Sequence, residues 1–191
     1  MRPSRRSLLT VLAAGLLALP ALTGCEGDPA GDPTVNASAK TGPDATAPAA
    51  AAFDPCKVLT VADVGAILGG TVTMKETPGG GCQFDQDDPR APSFGITKAM
   101  PADQGGGIAS SKLGAEGTID GKAETLSGVG EAAYVVVGKG MAIPTESVQA
   151  AGGVQVKGQL VDVVLAQGSK LPADRVTKML KDVLALIAAN A

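Results

Sequence analysis

Ser110, Ser111 and Lys112 stand side by side and put two hydroxyls next to an amine. An amine can activate a serine, but that chemistry uses Ser-x-x-Lys spacing with further partner motifs, and neither is present. Asp162 is a lone acid in the apolar run Leu160 to Leu165, on one face with Leu160 and Val164. A buried acid there would be a candidate for proton transfer; a partly solvated face is the competing reading, and the one expected. Asp85, Asp87 and Asp88 could ligate calcium, but Pro89 interrupts the EF-hand pattern and its Gly and distal Glu are missing, so a solvated turn is expected. Gly128-x-Gly130 precedes a strand, whereas a dinucleotide loop follows one and opens a helix, so it too reads as a turn. The chain has no His, which removes the Ser-His-Asp and Cys-His arrangements in their usual form and His-based zinc sites. The expectation is a chain that is not an enzyme, with no catalytic residue, no metal ligand and no cofactor.

The three cysteines carry more information. Cys25 closes a leader with a basic start at Arg2, Arg5 and Arg6 and an apolar run from Leu8 to Leu19, too short to span a bilayer comfortably. Leu22-Thr23-Gly24-Cys25 resembles the bacterial lipobox. That resemblance implies a diacylglyceryl group on the Cys25 thiol and cleavage just before it, with residues 1–24 removed as a signal peptide. A non-lipidated signal peptide is the alternative. Arg5 and Arg6, in Ser4-Arg5-Arg6-Ser7-Leu8-Leu9, also resemble a twin-arginine export signal, and the choice between that route and general secretion stays open. Acylation of Cys25 leaves Cys56 and Cys82, and two thiols allow one intramolecular pairing, a disulfide from the start of the first helix to the second strand. A free thiol pair is the alternative.

Removing residues 1–24 takes away three of the 16 basic residues and none of the 19 acidic ones. Charge therefore disfavours an anionic membrane surface as well as nucleic acid, and the lipid does the anchoring. Residues 25–52 read as the lipidated Cys and a disordered tether. Nine of the 27 residues from 26 to 52 are Ala, and Val35 is the only bulky aliphatic, too little apolar surface to offset ordering entropy. As a flexible chain they would reach about 30 Å.

Residues 53–191 read as one α+β domain: an antiparallel sheet with a short N-terminal helix and a longer C-terminal amphipathic helix packed on one face. Thr60 is an N-cap with Asp63 three residues on. Leu59 and Val64 form a hydrophobic staple, Val61, Val64, Ile67 and Leu68 an apolar face, and Gly69-Gly70 a stop. Strand signals fall at Val72 to Met74, Cys82 to Phe84, Phe94 to Thr97, Ala133 to Val137, Glu146 to Gln149, Val154 to Lys157 and Leu160 to Ala166. A short helix fits Ile108 to Leu113. From Pro172 onward, Val176, Met179, Leu180, Val183 and Ile187 recur at helical spacing. Aromatics are few, so the core must be aliphatic.

Asp54-Pro55-Cys56, Leu59-Thr60, Val64, Leu68-Gly69, Gly81-Cys82-Gln83-Phe84 and Gly128-Val129-Gly130-Glu131-Ala132-Ala133-Tyr134 resemble, in that order, actinobacterial envelope lipoproteins of the domain of unknown function family 3558. The resemblance covers roughly residues 53–189 and implies a paired Cys56 and Cys82 in an extracytoplasmic α+β domain with no assigned catalytic residue. The functional expectation is a membrane-anchored extracytoplasmic lipoprotein on the outer face of the cell membrane, a binding or interaction module. Its partner would be an unknown envelope protein or an apolar ligand. The alternative is a lipid or small-molecule carrier with an apolar cavity.

Overall fold

The computed structural model describes residues 53–141 and 147–191. The leader, Cys25, the tether and Glu146 lie outside the described residues. After Asp54, which caps the Cys56 N–H at 3.0 Å, comes a single helical turn, α1 (Pro55–Val58). Thr60 accepts from the Asp63 N–H at 3.1 Å and starts α2 (Val61–Leu68), which Gly69 ends in the left-handed region at φ 80°. Val64 and Leu68 are buried, but Val61 faces solvent; at the first turn it lies outside the packed stripe expected to include it. Next come β1 (Val72–Thr77), β2 (Gly81–Gln86), β3 (Ser93–Ile96), β4 (Met100–Pro101), a 3-10 turn at Gln104–Gly106 and α3 (Gly107–Glu116). The chain continues through β5 (Ile119–Asp120), β6 (Glu124–Leu126), β7 (Ala132–Gly140), β8 (Val148–Val156) and β9 (Gln159–Ala166), and closes with α4 (Ala173–Asn190). Among the described residues no helix is long and apolar enough to cross a membrane.

Among the described residues nine strands pair antiparallel in one sheet, in the order β1-β2-β3-β9-β8-β7-β5, with β4 also on β9 and β6 also on β7. The register assigns the faces. Phe84, Phe94, Leu165, Ala150 and Val137 make one cross-strand row on the first face. Against that face α4 buries Val176, Met179, Leu180, Val183, Leu184 and Ile187. Gln83, Gly95, Val164, Ala151 and Val136 make the matching row on the second face. There α3 lies over β7, β8 and β9, its Ala115 buried together with Ile119, Tyr134 and Val136.

The sequence reads β8 as two strands, 146–149 and 154–157, on either side of Gly152 and Gly153. The two are one strand, and both glycines sit in its interior. A Cβ on Gly152 would lie 2.7 Å from the Tyr134 carbonyl oxygen and 3.0 Å from Leu184 Cδ1. The glycine is what lets α4 approach this closely.

Cys56 and Cys82 are bridged, with their Cα atoms 5.8 Å apart and Cys82 fully buried on the first face. The bridge ties the one-turn helix α1, which has little packing of its own, to the sheet across 26 positions of sequence. Replacing both cysteines by Ser is expected to lower the unfolding free energy by about 2–4 kcal/mol in urea titration. A loss below about 1 kcal/mol would mean that packing alone holds α1.

Candidate functional site

The Ser111 hydroxyl donates to Asp162 Oδ1 at 2.5 Å. The Tyr134 hydroxyl lies 2.6 Å from the same Ser111 oxygen and is left as its donor. The three residues come from α3, β7 and β9. Tyr134 and Asp162 each pair directly with Gly153 of β8, from opposite sides. A Cβ at Gly153 would stand 2.8 Å from both Asp162 Oδ1 and Tyr134 Cε1. Glycine there opens the space in which the phenol and carboxylate converge under Ser111. Opposite Asp162 on the other side, Thr97 takes over the ladder: its N–H donates to the Asp162 carbonyl and its Oγ1 accepts from the Asp162 N–H, both at 2.9 Å. Residues 97–99 thereby oppose the two residues Val161 and Asp162, a bulge between β3 and β4.

Burial raises the Asp162 carboxyl above its ordinary range, against a smaller lowering by the Ser111 hydrogen bond. Burial likewise pushes the Tyr134 phenol up to about 12, with the Ser111 bond pulling it down and the Asp162 charge pushing it further up. Asp162 is half-buried, on a face that is partly solvated as its sequence context suggests, with Val164 half exposed beside it. Ser111 is drawn from the singled-out serine pair, but its partners are a carboxylate and a phenol, not the Lys112 amine. Each polar contact within the trio is met by another member, so the arrangement fastens α3 to the sheet.

Beyond the bulge lies an open groove of about 440 Å3, with Pro78, Gly95, Met100 and Val164 supplying its apolar surface and Lys98 its charge. Val164 is 50% exposed and Met100 46%. The groove is shallow and opens to solvent on the second face, whereas the layer between α4 and the sheet is closed by fully buried Val161, Val163, Leu165, Leu180 and Leu184.

The other singled-out residues have local roles. Asp88 caps the turn at the Arg90 N–H (2.9 Å), and that bond holds its carboxyl below the usual range. Asp85 accepts from Gln83 at 2.8 Å and lies 3.7 Å from the Lys75 ammonium. Gly128 and Gly130 have positive φ and form a turn, and a Cβ on Gly130 would meet the Gln155 carbonyl oxygen at 2.4 Å. Glu131, which the sequence reading gave no role, reaches across to the β8–β9 hairpin. Its carboxylate accepts from the Gly158 N–H at 3.1 Å and from Gln155 Nε2 at 2.9 Å.

No protein-family model, no curated protein and no solved structure matches this chain.

The phenol's shift has a direct readout, because Tyr134 is the one tyrosine of the chain and there is no Trp. Its folded value is raised, so the stability it contributes is complete below pH 10 and is lost as the pH rises towards about 12. A stopped-flow pH titration of phenolate absorbance on the folded chain is expected to find its midpoint near about 12. A midpoint at 10 in the folded chain would show that Tyr134 is not held under α3.

Proposed function

We propose that this chain is a lipid-anchored, extracytoplasmic binding protein of the cell envelope with no catalytic step of its own, related to the lipoproteins of the domain of unknown function family 3558. The observation that carries the reading is a bare apolar groove on a domain tied by the Cys56–Cys82 disulfide. A disulfide of this kind persists in an oxidising compartment, which agrees with the basic and apolar leader and with Leu22-Thr23-Gly24-Cys25. An apolar surface left uncovered on a small domain is where a partner or ligand binds. The absence of His from the sequence supports the non-catalytic part, as does a Ser111 whose proton is committed to Asp162. A carrier function becomes the more specific form of the same reading if the groove extends beneath α3.

Cys25→Ser removes the acyl acceptor. The variant expressed in an actinobacterial host is expected to accumulate with its leader uncut and to take up no fatty-acid label, while wild type labels and partitions into detergent. Equal labelling of the two chains would overturn the anchor.

A further inference from the structure

The cover on the second face fades along a single row of residues. Val136 is fully buried, Ala151 is half-covered, Val164 is half exposed, and over Gly95 a Cβ would meet nothing within 4 Å. These four pair in register across β7, β8, β9 and β3, so the apolar strip under α3 runs without interruption into the groove. Its cover is lightly held. Ala115 is buried and Ile108 half-buried against the sheet, whereas Leu113, the largest aliphatic side chain of α3 besides Ile108, is 69% exposed. Gly114 lies within the helix and Gly117 caps its end. Three successive glycines, Gly105, Gly106 and Gly107, with φ of 61°, 83° and 57°, lead into it. Residues without a Cβ absorb a change of backbone angles at little cost, as hinges do. The fastening across the middle of this helix is polar, from Ser111 to Asp162 and Tyr134.

We propose that the groove and the row beneath α3 are one binding site for a single aliphatic chain with an anionic head, and that α3 is its hinged lid. This rests on the binding-protein reading above and specifies its ligand. The row spans four strands, roughly 14 Å at the spacing of a sheet, and calls for a linear occupant. An extended peptide lying across the strands would find no main-chain partners, because β8, β9 and β3 are paired on both edges. Its own amides would be desolvated without hydrogen bonds. An alkyl chain has no such groups to satisfy. At the groove, the Lys98 stem lies over Gly80, and its ammonium has no carboxylate partner among the described residues. In a chain of net charge −3 it is an isolated cation where a head group would sit. With α3 down, the groove is too open to enclose a small ligand; with α3 raised and re-closed over a chain, Ala151, Val136 and Tyr134 line the same site.

The test uses the chain from residue 25 onward with Cys25→Ser, so that no detergent competes, titrated with dodecanoate and with uncharged dodecanol. Saturable one-to-one binding of both is expected, with dodecanoate the tighter. Gly95→Leu projects into open groove and is expected to weaken both by about tenfold with the thermal melt unchanged. Lys98→Glu is expected to weaken dodecanoate alone. Ser111→Ala frees the lid, so hydrogen exchange over 107–116 should speed up while that of 173–190 stays slow, and dodecanoate affinity should rise severalfold. The proposal is overturned by the absence of saturable chain binding, by Gly95→Leu binding like wild type, or by exchange over 107–116 that Ser111→Ala leaves unchanged. Binding to phosphatidylglycerol vesicles without monomeric dodecanoate binding overturns it equally, since the groove would then be a membrane contact. Any of these failures leaves the envelope-anchored reading standing on the Cys25→Ser labelling.

Discussion

Gly152 and Gly153, adjacent in the interior strand β8, set the approach of the layers on both sides of the sheet. Successive residues of a strand point to opposite faces. Gly152 therefore clears space on the first face for Leu180 and Leu184 of α4, and Gly153 clears space on the second for Tyr134 and Asp162. A side chain at either position would press on a neighbour under 3.0 Å away. The cost of two glycines in a strand interior, roughly 0.5–1 kcal/mol each relative to Ala, is offset by what they admit: a close-packed helix on one face and a half-buried polar junction on the other.

The two layers are held by different physics. α4 buries six large apolar side chains, each contributing roughly 1.5–3 kcal/mol, and closes the core mainly by packing, its Lys181–Glu124 ion pair to β6 being exposed to solvent. α3 buries Ala115 and half-buries Ile108, and depends in addition on hydrogen bonds that contribute about 1 kcal/mol each. Since Asp162 is raised by burial, its ionised form is costly where it sits, and the junction holds α3 in register at the expense of strength. Low local stability is the common property of segments that move when ligands bind. The disulfide serves the α4 side of the molecule, where it fastens the short α1 that leads into α2.

What the sequence made legible follows from how local each signal is. Thr60 with Asp63, the stop at Gly69 and the stripe from Val176 to Ile187 are written within a turn or two of chain, and they are found where expected. The Cys56–Cys82 pair was legible through counting, since one thiol was assigned to the lipid. The junction was not, because it joins α3, β7 and β9 across 51 positions between Ser111 and Asp162. Asp162 and the serine pair could each be singled out, but the alternation that exposed one face of β9 to view carried no information about the helix that covers it. The single strand β8 was not legible for a related reason: paired glycines such as Gly152-Gly153 are as compatible with a break in a strand as with close packing around it. Glu131 could have been suspected from its place directly after a glycine turn and before a strand, but its partners at Gln155 and Gly158 are set by the sheet.

If the two faces are held independently, substitutions at neighbouring positions of one strand must have effects on opposite sides. Hydrogen exchange resolved by segment in Gly152→Ala and Gly153→Ala tests this most directly. Gly153→Ala should release residues 107–116, with exchange there accelerating well beyond the rest of the domain while 173–190 keeps its protection. Gly152→Ala should do the reverse, loosening 173–190 and its strands. Uniform acceleration across both helices in each variant would mean that the domain opens as one unit, and α3 would not be a separately held lid.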